Sequence, residues 1–139
     1  MDQPARIPGG CMCGAIRYEC IGEPLYVGYC HCRSCRHHGG AAVAGMLVFK
    51  PKQVSLKAGR LRIYGSSPGV ERGFCRLCGT SLTWKGRGLV SIHIGTLDNP
   101  DEYAPTLHWR YAERSPWCDL GRDLPHVTMT FPETLGKPE

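Results

Sequence analysis

Residues 75–79 read Cys75-Arg76-Leu77-Cys78-Gly79, and this stretch decides the fold. Two residues between the cysteines let both sulfurs turn toward one ion, and Gly79 admits the positive φ that such a turn often needs. One pair supplies only half of a tetrahedral site, so another pair must meet it from elsewhere in the chain. Upstream, Cys11-Met12-Cys13-Gly14 has tighter spacing and the same trailing glycine. Between the two lies Cys30-His31-Cys32-Arg33-Ser34-Cys35, with three cysteines in six residues. The economical partition puts Cys11, Cys13, Cys75 and Cys78 on a closed, structural zinc. It puts Cys30, Cys32 and Cys35 on a second zinc with an open fourth position, the arrangement of catalytic sites. Two Zn2+ ions are therefore expected. Other readings of these groups stay open: disulfides, a redox pair at Cys32 and Cys35, or a closed second zinc completed by His31, His37 or His38. The redox reading lacks a surrounding βαβ pattern. The chain has no His-x-Glu segment, which argues against zinc deaminase chemistry.

Composition supports metal over disulfides. Nine cysteines in 139 residues is an odd number and falls short of a stapled secreted scaffold. Met1 to Gly10 contains no apolar stretch of the secretory type, so reduced thiols and a cytoplasmic location are expected. The longest nearly apolar run, Ala41 to Phe49, is too short for a membrane span. A net charge of +5 from scattered residues suits an anionic small ligand as readily as a nucleic acid, and the basic residues form no obvious stripe.

Eighteen glycines and eleven prolines favour short strands and many turns. Ile16, Tyr18 and Cys20 alternate along one face, which predicts a strand over Ala15 to Cys20. Leu25 to Tyr29, Ala41 to Phe49, Leu61 to Tyr64 and Glu71 to Phe74 read as further strands. Ser81 to Trp84 and Leu89 to Ile94 form a hairpin through Gly86 and Gly88, and His108 to Tyr111 is a last strand. Ser34 to His38 allows one helical turn, stopped by Gly39-Gly40. Asp98 is expected to stabilise the turn before Pro100. Trp84, Trp109 and Trp117 are expected in the core or at its edges, and Cys20 and Cys118 as buried free thiols. The chain reads as one domain over 1–139, with a core of about 9–120 and an irregular tail over 121–139.

Gly10-Cys11-Met12-Cys13-Gly14, Cys30-His31-Cys32-Arg33-Ser34-Cys35-Arg36, Tyr64-Gly65-Ser66-Ser67, Arg72-Gly73-Phe74-Cys75-Arg76-Leu77-Cys78-Gly79 and Gly95-Thr96-Leu97-Asp98-Asn99-Pro100 occur in that order. This pattern resembles the glutathione-dependent formaldehyde-activating enzyme family, which includes centromere protein V domains. The resemblance implies an all-β fold: a small zinc-stabilised β-tent of several short antiparallel sheets with minimal helix. It implies the same division of zinc ligands. It also implies a carbon–sulfur lyase that forms S-(hydroxymethyl)glutathione, with glutathione as the thiol and formaldehyde as the aldehyde. No separate glutathione-binding segment matches residue by residue.

Three thiolates make a zinc electron-rich and suited to a soft fourth ligand such as a thiol. Arg33 and Arg36 interleave with the ligands and offer partners for a peptide carboxylate. Ser66, Ser67 and Arg72 follow the family pattern and complete a candidate thiol-substrate pocket. His31 is expected to point away from the metal, and His37 and His38 to lie at the surface. The alternative functions are a non-catalytic zinc- and thiol-binding module, or a nucleic-acid- or chromatin-associated zinc domain.

Overall fold

The alternation at Ile16, Tyr18 and Cys20 is realised: these side chains are 2%, 3% and 0% exposed and face the core. The computed structural model describes residues 3–127. It consists of β1 (Arg6–Gly10), β2 (Arg17–Ile21), β3 (Tyr26–Cys30), α1 (Arg33–Gly39), β4 (Ala44–Phe49), β5 (Val54–Ala58), β6 (Arg62–Ser67), β7 (Val70–Phe74), β8 (Ser81–Gly86), β9 (Leu89–His93), β10 (Leu107–Trp109) and β11 (His126–Val127), with short 3-10 turns between some of them. The all-β reading with minimal helix therefore holds. None of the described helices is long and apolar enough to cross a membrane.

The strands form two sheets. One has the order β1-β2-β5 and the other β11-β10-β3-β4-β9-β8-β7-β6. Most pairings are antiparallel, but β10 runs parallel to both β3 and β11. The larger sheet is thus mixed at one end. The apolar run at β4 lies in the middle of this sheet and is buried on both faces, which is why it lacks polar alternation. Leu47 and Phe49 pack with Ile7, Tyr18, Leu82 and Ile92, while Met46 and Val48 pack with Trp84, Leu107 and Trp109. Fully buried Trp109 depends on Gly28 of β3, because a Cβ there would lie 2.6 Å from the indole.

Three strands escaped the sequence reading. In β1, Pro8-Gly9-Gly10 looks like a loop, yet the strand is at a sheet edge, where proline is tolerated. Gly9 is required because a Cβ would sit 2.3 Å from the Tyr18 hydroxyl, which hydrogen-bonds Thr96 at 2.6 Å. The second is β5, the other edge of the small sheet. The third, β11, falls in the stretch expected to be irregular from 121 onward; residues 128–139 lie outside the described part. Trp117 is 74% exposed and not in the core, whereas Trp84 and Trp109 are buried as expected. Cys20 is fully buried and Cys118 only half-buried. Asp98 does not cap its turn through its side chain; it holds the Arg17 guanidinium with both carboxylate oxygens.

Candidate metal centres

The first group is assembled from two similar turns. After Cys75 the chain doubles back, with the Gly79 N–H donating to the Cys75 carbonyl at 2.8 Å and Gly79 at φ 81°. After Cys11 the Gly14 N–H donates to the Cys11 carbonyl at 3.2 Å, with Gly14 at φ 82°. The Met12 N–H donates to the Thr80 hydroxyl at 3.1 Å and ties one turn to the other. The four sulfurs of Cys11, Cys13, Cys75 and Cys78 all lie within 4.8 Å of one another. Cys11 and Cys13 are 3.6 Å apart, and Cys13 and Cys75 3.9 Å. A tetrahedral zinc with bonds of about 2.3 Å requires sulfur separations of about 3.8 Å, so these residues fit the ion. Further donors already point at the sulfurs: Ile16 N–H at Cys11, Leu77 N–H at Cys75 and the Thr80 hydroxyl at Cys78. The Thr80 contact is the leading cause that draws the Cys78 thiol down to about 5.

The second group is more local. Cys30 ends β3, Cys32 caps the N-terminus of α1, and Cys35 lies on the first turn of that helix. The Cys35 N–H donates to the Cys32 sulfur at 3.3 Å, so the side chain that caps the helix is also held for a ligand role. Gly40, left-handed at φ 63°, closes a helix of two turns, longer than the single turn expected. The sulfurs of Cys30, Cys32 and Cys35 lie within 4.8 Å of one another, and no described histidine joins them. Contacts with Cys30 and Cys35 draw the Cys32 thiol down to about 2, while Cys32, Cys35 and burial push Cys30 well up. Packed this closely and buried, three thiolates would repel one another. A bound cation relieves that repulsion. Both cysteine groups can hold a metal ion.

The protein surroundings differ between the groups. A cleft of about 390 Å³ opens over Cys30, Cys32 and Cys35 and is walled by Arg33, Ser67, Arg72, Trp84, Arg87, Arg110 and Glu113. Arg72, only 6% exposed, extends Nη1 to within 3.6 Å of the Cys35 sulfur, and its Nε donates to the Ser66 hydroxyl at 3.0 Å. Of the five pocket residues expected from sequence, Arg33, Ser67 and Arg72 line this cleft. Ser66 lines a neighbouring hollow and holds Arg72. Arg36 is not brought to the cleft: its Nε donates to the His31 carbonyl at 3.1 Å. Arg87, Arg110 and Glu113 have no counterpart in the sequence reading. The Gly86-Arg87-Gly88 turn carried a signal for Arg87, and nothing local marked Arg110.

Behind the trio, His31 turns into the protein. Its Nε2 lies 2.8 Å from His108 Nδ1, and His108 Nε2 lies 2.6 Å from the Gly121 carbonyl. The carbonyl can only accept, so His108 carries its proton on Nε2, and His31 donates from its own Nε2. Burial and the neighbouring His108 push His31 down to about 4, so the relay is neutral at pH 7. His37 is exposed, but His38 is half-buried, with its ring centroid 5.2 Å from that of His93.

The family model for the glutathione-dependent formaldehyde-activating enzyme matches residues 6–113. A protein of Schizosaccharomyces pombe named as an uncharacterized lyase is 34% identical over 74 residues, covering 53% of this chain and 53% of that protein. The chain thus spans about half the length of that curated relative. A crystal structure of a Rhodobacter sphaeroides protein, solved as a structural-genomics target, aligns with a TM-score of 0.55 and 25% identity, over 68% of this chain and 93% of the other. A match across 108 consecutive positions takes in both cysteine groups, and the chain belongs to the glutathione-dependent formaldehyde-activating enzyme family.

Proposed function

We propose that the protein is a zinc-dependent carbon–sulfur lyase acting on a glutathione-type thiol and a small aldehyde, with Cys30, Cys32 and Cys35 holding the active-site zinc. The observation that carries this reading is the contrast in ligand number. Four sulfurs close one site, whereas three stand at the floor of a cleft with room for a ligand from outside. Zinc bound there would supply Lewis acidity that ionises a substrate thiol at neutral pH.

The protein's own contribution is to position and to stabilise charge. The substrate sulfur forms a bond to the aldehyde carbon as the carbonyl π bond breaks. The electron pair moves to oxygen, and the proton lost by the thiol is returned to that oxygen through solvent at the cleft mouth. No net oxidation occurs, and cleavage of the adduct is the same path reversed. Arg72 is held by Ser66 beside Cys35 and presents fixed positive charge to the sulfurs and to the developing alkoxide. Ser67 is a second donor on the cleft wall. Trp84 contributes an apolar surface that limits water around the reacting atoms.

The test is acceleration of adduct exchange between glutathione and isotopically labelled formaldehyde, followed by NMR against the spontaneous rate. The zinc-loaded protein is expected to exceed that background, and Cys35→Ser to return it to background. A fully loaded protein that leaves the spontaneous rate unchanged with every aldehyde tried would falsify the enzyme reading and leave a thiol-binding module.

A further inference from the structure

Among the described residues other than glycine, two adopt the left-handed backbone: Arg87 at φ 50° and Arg110 at φ 56°. Both are arginines, and both line the cleft over Cys30, Cys32 and Cys35. This conformation is unfavourable for a side chain-bearing residue, so its presence twice on one cleft asks for a reason.

Arg87 is the first residue of the two-residue loop joining β8 to β9, where Gly86 pairs with Leu89. Gly88 follows at φ 76°, which completes a hairpin turn with both central residues at positive φ. Asparagine, aspartate or glycine suits the first central position of such a turn. Arginine is not among these residue types, and from that position it walls the cleft.

Arg110 follows directly on β10 and starts a 3-10 turn that carries Glu113. Its Nη1 lies 3.6 Å from Glu113, whose other carboxylate oxygen accepts from the Arg33 N–H at 3.3 Å. Glu113 therefore joins Arg110 to the start of α1. The cleft wall carries Arg33, Arg72, Arg87 and Arg110 against the single acid Glu113.

We infer that Arg87 and Arg110 are carboxylate-binding residues that make this site select thiols bearing carboxylate groups over neutral thiols. The inference rests on the reading of the trio as a thiol-binding centre. A sulfur group at the floor and arginines on the wall define one ligand with a thiol and acidic groups in the same molecule. The guanidinium fork matches a carboxylate in a bidentate manner, and a volume of about 390 Å³ suits a small molecule. The arms come from two separate elements, so two carboxylates can be held at once.

Calorimetry on the zinc-loaded full chain tests this with glutathione and glutathione diethyl ester, which share a thiol and differ in their carboxylates. Wild type is expected to bind glutathione about tenfold or more tighter than the ester, an advantage that shrinks as salt is raised. Arg87→Asn keeps a residue suited to the turn, and with Arg110→Asn it is expected to reduce glutathione affinity about tenfold while ester affinity stays within about twofold. Equal wild-type affinities for acid and ester overturn the inference. Variants that weaken both thiols alike overturn it as well, because that pattern reports general damage. Turnover separates the two readings. Acceleration with no acid-over-ester preference removes the arginine role and keeps the enzyme. Arginine-dependent selective binding without acceleration keeps the arginine role and removes the enzyme. Binding of neither thiol removes both.

Discussion

The two cysteine groups hold similar sulfurs at similar spacing, yet they are built in opposite ways. The group of four joins turns 62 positions apart at Cys13 and Cys75, and it fastens the first strand to the middle of the chain. The group of three comes from six consecutive residues at the end of β3 and the start of α1. Closing a long loop is costly in chain entropy, so a metal that closes one stabilises the fold strongly. Closing a six-residue segment stabilises little beyond the helix cap. The first centre is therefore expected to serve structure, and loss of metal from the second is expected to leave the sheets standing.

The largest expected effect breaks the long-range group. Cys75→Ser is expected to lower the thermal midpoint by roughly 10 °C or more, or to prevent folding, with loss of both metals. A folded variant with an unchanged midpoint would show that the four-cysteine group does not carry the fold.

Cys32→Ser sharpens the contrast. Serine retains a helix N-cap, so the circular dichroism spectrum should be preserved and stability should change by only about 1 kcal/mol. Metal analysis should fall from two ions to one, and acceleration of adduct exchange should vanish. Two retained ions would mean that Cys32 is not a ligand.

A pH series tests the seam between the groups, where His93 lines a hollow shared with Cys78 and Thr80. Burial, followed by the neighbouring His38, pushes His93 down to about 4 from 6.5. A histidine whose folded pKa is depressed binds its proton more readily in the unfolded chain. Its contribution is therefore constant above pH 6.5, and stability falls as the pH drops from 6.5 toward 4, by on the order of 2 kcal/mol at pH 5. His93→Gln should flatten that part of the denaturation profile relative to wild type. An identical acid limb in both proteins would assign the loss to the thiols.

The smallest effect concerns Arg17 and Asp98, which pin β2 close to the four-cysteine turns. The pair is doubly hydrogen-bonded but 39% and 46% exposed. Asp98→Asn is expected to cost about 0.5–1 kcal/mol in urea denaturation, and less in high salt. A loss as large as that of Cys75→Ser would mean that this ion pair holds the turn in place of the metal.

Much of this comparison was legible in the sequence because it depends on short spacing. Residues such as Cys75 and Cys78 stay near one another in almost any turn, and the alternation of Ile16, Tyr18 and Cys20 marks a buried face wherever the strand lies. The misses also have local causes. Pro8, Gly9 and Gly10 look like a loop until Tyr18 is seen lying across Gly9. His126 to Val127 is too short to announce itself and exists through parallel pairing with β10. Trp117 reads as core by composition, but it lies on an exposed segment after the last 3-10 turn.

By itself, the sequence determined the cysteine grouping, the all-β class and the family, because local spacing and side-chain alternation survive without knowledge of the fold. Only the tertiary structure decided which residues surround the trio. Arg72 comes from β7, Arg87 from the β8–β9 turn and Arg110 from the end of β10, and they converge because the sheet runs β10-β3-β4-β9-β8-β7. Strand order is set by burial across the whole chain, a non-local property that no short motif encodes. It also moved Arg36, adjacent to Cys35 in sequence, away from the cleft and onto the His31 carbonyl.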